Sequence, residues 1–312
     1  RSADFAYCGR ELLCFDLHES KQGPHGLIAG STGSGKSELI ISLLLSLCIR
    51  YSPYCLNIIL IDYKGGGIRE SLSSNGRSIP HIIASVDNLE NNRFERLIIA
   101  LKQECLRRQK QFRELSSSCG ISIMDLDEYN SYCDEKRMAH LLIVVDEFAE
   151  LKKENPHLVR ELISLSRIGR SLGLHLILAT QKPSGNIDDE IWSNSRFKLS
   201  LKVFEEKDSL DVLKRKDAAY LEGPGSFLLR VDESIVRAQS VYAKSDMNER
   251  DPYEVSILDH TLSILRTARE NNPDTQTQAT AYCEKILAYC DKRKIYPRKL
   301  EFEAPEACSR KK

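Results

Sequence analysis

The run Gly30-Ser31-Thr32-Gly33-Ser34-Gly35-Lys36-Ser37 constrains this chain more than any other stretch. It matches G-x-x-x-x-G-K-[ST], a loop that works only between a strand and a helix. Both flanks supply that context: Gly26–Ala29 closes a short strand, and Glu38–Arg50 is patterned as a helix. The glycines let successive backbone N–H groups turn inward without Cβ clashes, which makes a concave seat for an anion. The N-terminus of the following helix adds partial positive charge. Within this expected ATP site, Lys36 is placed to reach the outer phosphates and the Ser37 hydroxyl to ligate Mg2+.

A second motif completes the expected chemistry. Leu141–Val145 is a continuous apolar run ending in Asp146 and Glu147. Such a run reads as a strand buried on both faces, delivering two acids to the sheet edge where ligands bind. Asp146 is expected in the Mg2+ shell and Glu147 as the general base for the attacking water. The two motifs lie about 110 residues apart. That leaves room for an extra strand, and Leu56–Ile61 or His81–Val86 could fill the role, as in RecA-like motors. Leu174–Ala179 is a further buried strand ending at Thr180 and Gln181. A polar side chain there can sense the γ-phosphate or the water, with Gln181 preferred over Thr180. A ring motor also needs an arginine supplied to a neighbour's γ-phosphate. Arg196 is the first candidate, with Arg167 and Arg170 behind it.

Apolar runs alternating with helical patterns give an α/β fold with a mainly parallel sheet and helices on both faces. Helices are expected over Asn92–Leu115, Met124–Asp134 and Pro156–Ser171. Phe197–Val203 alternates as a strand, and Ser226–Val231 with Ile235–Val241 reads as a hairpin across Asp232-Glu233. Asp62–Gly67 carries three glycines after a strand, which implies a tight backbone path. Composition shifts after Lys244. Ser245–Tyr253 is polar, helices are expected near Val255–Glu270 and Thr277–Lys292, and Lys294–Lys312 is a charged tail. The division is therefore a module over 1–244 and a helical, charged linker over 245–312.

The 312 residues contain 45 basic and 45 acidic side chains. Zero net charge argues against a protein that coats nucleic acid. The ten cysteines form no C-x-x-C pair, and the seven histidines show no metal-ligand spacing, so both sets read as structural. The longest apolar stretch, Leu39–Ile49, is too short to span a bilayer. The chain reads as a soluble piece of something longer.

Four strings together resemble FtsK/SpoIIIE-type ATPases: Gly30–Glu38, Asp62–Gly67, Asp146–Leu151, and Arg167–Gly173 running into His175–Pro183. Finer strings are similar to the EssC (YukB/EccC)-type ATPases of type VII secretion. These are Gly23–Leu27, Thr180–Gly185, Asp188–Lys198 and Lys214–Ala219. The resemblance covers residues 10–244. It implies a RecA-like P-loop NTPase of the additional-strand type, using ATP and Mg2+, as the first and intact module of a tandem. It implies other ATPase modules of the same chain as partners, with WXG-type secreted proteins and membrane secretion components. It also implies a ring homo-oligomer, hexameric in the full protein, with the fragment monomeric. The setting is the cytoplasmic side of a bacterial membrane-anchored protein. Arg196 falls where such proteins carry an arginine after the sensor strand. A double-stranded DNA translocase and a nucleotide-binding regulatory module with little turnover are the alternatives.

Overall fold

Runs of apolar residues buried on both faces set the middle of this structure, a computed structural model. It describes residues 2–18, 20–63, 65, 67–87, 91–133, 136–245, 255–258, 264–268 and 277–300. The chain opens with the strands β1 (Ser2–Cys8) and β2 (Glu11–Asp16), then β3 (Gly26–Ala29) and α1 (Lys36–Arg50). Next come β4 (Leu56–Asp62), α2 (Gly67–Ser71), the short β5 (Ser73–Ser74) and β6 (Arg77–Ser78), and β7 (Ile82–Asp87). Helices α3 (Asn91–Cys119) and α4 (Leu126–Tyr132) lead to β8 (His140–Asp146). Helices α5 (Phe148–Glu154) and α6 (Pro156–Gly169) lead to β9 (Leu174–Thr180). Then follow α7 (Asp189–Asn194), β10 (Phe197–Leu201), α8 (Glu206–Leu213), β11 (Ser226–Val231) and β12 (Ser234–Ser240). The last elements are β13 (Val255–Leu258), β14 (Ile264–Ala268) and α9 (Gln278–Arg293).

Ten strands form one sheet in the order β2-β1-β12-β11-β10-β3-β9-β8-β4-β7. From β10 to β7 every pairing is parallel, and from β10 to β2 every pairing is antiparallel. Alternate residues of the parallel strands feed two cores. Leu27, Ile59, Ile61, Ile143 and Val145 pack with α3, α5, α6 and α8 on one face. Ile28, Ile58, Leu60, Leu142 and Val144 pack with α1 on the other. The hairpin of β1 and β2 is pinned to the second core by aromatic contacts. Phe15 meets Phe5 and Phe197 edge-on, and Phe5 stacks on Phe227.

Three features depart from the sequence reading or extend it. The strand lying between β3 and β8 is β9, while β4 and β7 lie beyond β8. Parallel neighbours are joined by crossovers, so order along the chain does not give order in space. Second, the described residues of the expected helix Val255–Glu270 are not helical. They form β13 and β14, paired antiparallel. Hydrophobic spacing there fits a helix, but β-branched Val255, Ile257, Ile264 and Thr267 favour extended backbone. Third, α9 packs back on the module. Ala279 and Cys283 join the core beside α1, and Arg77 grips Asp291 through two hydrogen bonds of 3.0 and 3.1 Å. Of the expected polar stretch Ser245–Tyr253 all but Ser245, and of the expected tail Lys294–Lys312 the part from 301, lie outside the described residues.

Candidate nucleotide site

The loop 30–35 leaves β3 at the C-terminal edge of the parallel strands and is tied down on both sides. Gly30 N–H donates to the Thr180 carbonyl at 3.2 Å. The N–H and hydroxyl of Ser31 both donate to the Lys202 carbonyl at 2.9 Å. Gly225 N–H donates to the Ser34 carbonyl at 2.8 Å. Gly35 needs to be glycine, because φ is +92° and a Cβ would meet Gly225 N at 2.8 Å. Gly33, at φ +81°, has open space where its Cβ would point. The Ser34 hydroxyl is sealed from solvent with no hydrogen-bond partner among the described residues. A cradle of this shape, with an orphaned donor and a helix N-terminus behind it, fits a phosphate chain.

The acids converge on that cradle. The Lys36 ammonium pairs with Asp146 Oδ1, and both side chains are buried. Glu147, one residue on, sits in the left-handed region at φ 62° and is only 2% exposed. Its carboxylate is held by the end of β9. The Thr180 hydroxyl donates to Oε1 at 2.8 Å, and Gln181 N–H donates to Oε1 and Oε2 at 3.1 and 3.2 Å. Gln181 then reaches the phosphate loop, its Oε1 accepting from the Thr32 hydroxyl at 2.8 Å. One connected set of groups therefore runs from the loop tip through Gln181 to Glu147. Ser37, half-buried in the first turn of α1, and Asp146 are hard oxygen donors of the kind Mg2+ takes.

Sequence reasoning ranked Thr180 behind Gln181, yet Thr180 is the residue whose side chain touches Glu147. Its position as the last residue of an apolar strand was the available signal. Asp62 is a further acid at the same edge, buried and in register with Asp146 on the adjacent strand. The Asp62–Gly67 string marked that place, with Lys64 and Gly66 outside the described residues.

Arg196 is not brought into this site. Its N–H donates to the His25 carbonyl, just before β3 begins, so it lies at the opposite end of the strands. Its guanidinium meets Asp232 at 3.3 Å. Arg167 and Arg170 are at the far end of α6, exposed, and Arg170 helps push the buried His25 imidazole down to about 4.

A strand, a glycine loop and a helix, with the loop lysine facing an acid two strands away across an inserted strand, define a P-loop ATPase of the additional-strand class. This chain is one by fold and site. It belongs to the FtsK/SpoIIIE family, whose model matches residues 5–185. It is 46% identical over 225 residues to the type VII secretion system protein EssC of Staphylococcus aureus, covering 71% of this chain and 14% of that protein. It is 40% identical over 298 residues to the ESX secretion system protein YukB of Bacillus subtilis, covering 91% and 20%. Among solved structures, the cytoplasmic domain of the Thermomonospora curvata type VII secretion ATPase EccC superposes with a TM-score of 0.74. That match has 26% identity and covers 97% of this chain and 32% of the other. The chain thus spans a small part of the length of the relatives it matches.

Proposed function

We propose that this chain is the ATP-hydrolysing motor module of a type VII secretion ATPase. In this reading it works on the cytoplasmic side of a membrane-anchored bacterial protein and drives export of small WXG-type proteins. The observation that carries the reading is the connected set Thr32, Gln181, Glu147 and Thr180 beside the Lys36–Asp146 pair, in a chain closely similar to EssC and YukB. Among the described residues, no helix is long and apolar enough to cross a membrane.

Lys36 and the loop N–H groups hold the phosphates of ATP, and for this Lys36 exchanges Asp146 for phosphate oxygen. Ser37 and Asp146 would hold Mg2+, which supplies charge neutralisation at the phosphates. Glu147 takes the proton of the attacking water, and Thr180 and Gln181 N–H orient its carboxylate. Gln181 links that carboxylate to the loop. Arg196, at the far edge from its own loop, acts on the nucleotide of a neighbouring copy in a ring. Other ATPase modules of the same chain and membrane secretion components are the remaining partners.

The test is ATP turnover against protein concentration for the wild type, Glu147→Gln and Arg196→Ala, with double-stranded DNA or a WXG-type protein added in turn. The reading expects turnover that needs both residues and rises at least roughly tenfold with concentration, since a supplied arginine is worth about a thousandfold or more. It also expects indifference to DNA. Fast turnover independent of concentration sinks the trans arginine, and strong stimulation by DNA makes the module a DNA pump.

A further inference from the structure

The edge of β10 and β11 away from the phosphate loop gathers cations around one indole. Lys198 Nζ lies 3.8 Å from the centroid of the Trp192 ring. Lys214 Nζ and the Arg230 guanidinium face the same ring at 5.2 and 5.6 Å. Trp192 is fixed from behind, its indole N–H donating to the Val212 carbonyl at 3.1 Å. Lys198 and Arg230 are directly opposite each other on antiparallel strands. Like charges in that relation destabilise a sheet.

The arginines of this edge already have partners. Arg230 donates to the carbonyls of Leu213 and Asp232 and pairs with Glu233 at 3.1 Å. Arg196 pairs with Asp232. Lys198 is different. It is 7% exposed and forms no hydrogen bond or ion pair with any described residue. Its ammonium is not among the described polar atoms sealed from solvent without a partner, so a buried stem leaves the head within reach of solvent. Lys214, at the C-terminal end of α8, likewise has no ion-pair partner among the described residues.

We propose that Lys198 and Lys214, backed by Trp192 and Arg230, form a binding site for a phosphate group, separate from the nucleotide loop. The charge count selects that ligand. Two ammonium groups are left once the local acids are matched to the arginines, and a phosphate at neutral pH carries a charge of about −1.5 to −2. A carboxylate would leave one ammonium unmatched. Burial, reinforced by Arg230 and Lys214 and partly offset by the Asp232 carboxylate, brings the Lys198 amine down to about 8, so it is still mainly protonated at pH 7. An anion relieves the repulsion from Arg230 and Lys214.

Trp192 is the one tryptophan in the chain, so its fluorescence reports this site directly. The experiment titrates the protein with inorganic phosphate at pH 7, with sodium chloride at matched ionic strength as reference. The expected result is a saturable change at millimolar phosphate, at least tenfold weaker in Lys198→Gln and about threefold weaker in the exposed Lys214→Gln. A site built for a ligand also predicts that Lys198→Gln does not lower the thermal midpoint, because it removes a like-charge pair. A purely structural lysine–indole contact predicts that it does. A phosphate response equal to chloride, or one undiminished in both variants, overturns the proposal, the latter assigning the response to the nucleotide loop. An ATP arm identifies the source. A Lys198-dependent response to ATP as well as phosphate points to the terminal phosphate of a nucleotide, and a response to inorganic phosphate alone points to the free ion.

Discussion

The two ends of the parallel strands are made of different chemistry. At the C-terminal ends, an ammonium, two carboxylates, two hydroxyls and an amide hold one another through Lys36, Asp146, Glu147, Thr180, Thr32 and Gln181. At the N-terminal ends, histidines stand where β3, β7, β8 and β9 begin, and they bond to backbone, to each other and, from His140, to Asp127 at 3.2 Å. His81 Nε2–H donates to the Tyr51 carbonyl at 2.6 Å, and His25 Nδ1 accepts from Leu176 N–H at 3.0 Å. His140 and His175 share a hydrogen bond of 3.1 Å. The first set consists of groups that can trade partners when a charged ligand arrives. The imidazoles of His25 and His81 are neutral and buried, and serve the scaffold. Work and support are thus divided between opposite ends of the same strands.

The largest effect that would break this division is on turnover. Glu147→Gln keeps the shape and is expected to cut phosphate release at least about a hundredfold, the usual range for a general base. A loss below about threefold would remove Glu147 from the chemistry.

The scaffold end is tested by acid. Burial holds the His25 and His81 imidazoles down at about 4, against an ordinary value of 6.5. Between those values the unfolded chain takes up protons that the fold refuses. The stability from these groups is therefore complete above pH 6.5 and is lost as pH falls towards 4, by at most about 1.4 kcal/mol per pH unit for each. Urea midpoints at pH 7 and pH 5 measure it, and equal midpoints would contradict the neutral, buried state of these rings.

Gly35→Ala should cost about 2 kcal/mol, from left-handed backbone plus the contact with Gly225, and Gly33→Ala about half of that. Equal costs in chemical denaturation would show that Gly225 yields freely. The smallest expected effect is the most specific. Thr180→Val should lower kcat roughly tenfold, the worth of a hydrogen bond to a charged group, with KM within about twofold and Thr180→Ser restoring the rate. A matching change in KM would place Thr180 in nucleotide binding instead.

Much of this was legible in the sequence, for a physical reason. The strands β4, β8 and β9 are seven residues each, mostly apolar and buried throughout, as a strand covered on both faces reads. The phosphate loop and Asp146–Glu147 follow from their positions after such strands. What stayed hidden depended on distant partners. The strands β1 and β2 mix buried and exposed residues, and β1 pairs with β12 more than two hundred residues later. The location of β9 between β3 and β8 is a matter of crossovers, which no local pattern records. The part of Thr180 emerged only once Glu147 was seen turned towards β9 by its left-handed backbone. The cations around Trp192 come from β10, β11 and the residue that follows α8, and no local pattern records that these segments meet.

Helix α1 has a second role that follows from what leans on it. Its first residue is Lys36, and its flank carries α9 through Ala279 and Cys283. The segment 241–244 is fastened to both, with Ser42 Oγ–H on the Val241 carbonyl, Lys244 on Glu38, and Ala279 N–H on the Ala243 carbonyl. A tilt of α1 at its nucleotide end would therefore not be absorbed locally. It would swing α9 like a crank, carrying with it the chain from Lys294 to Leu300.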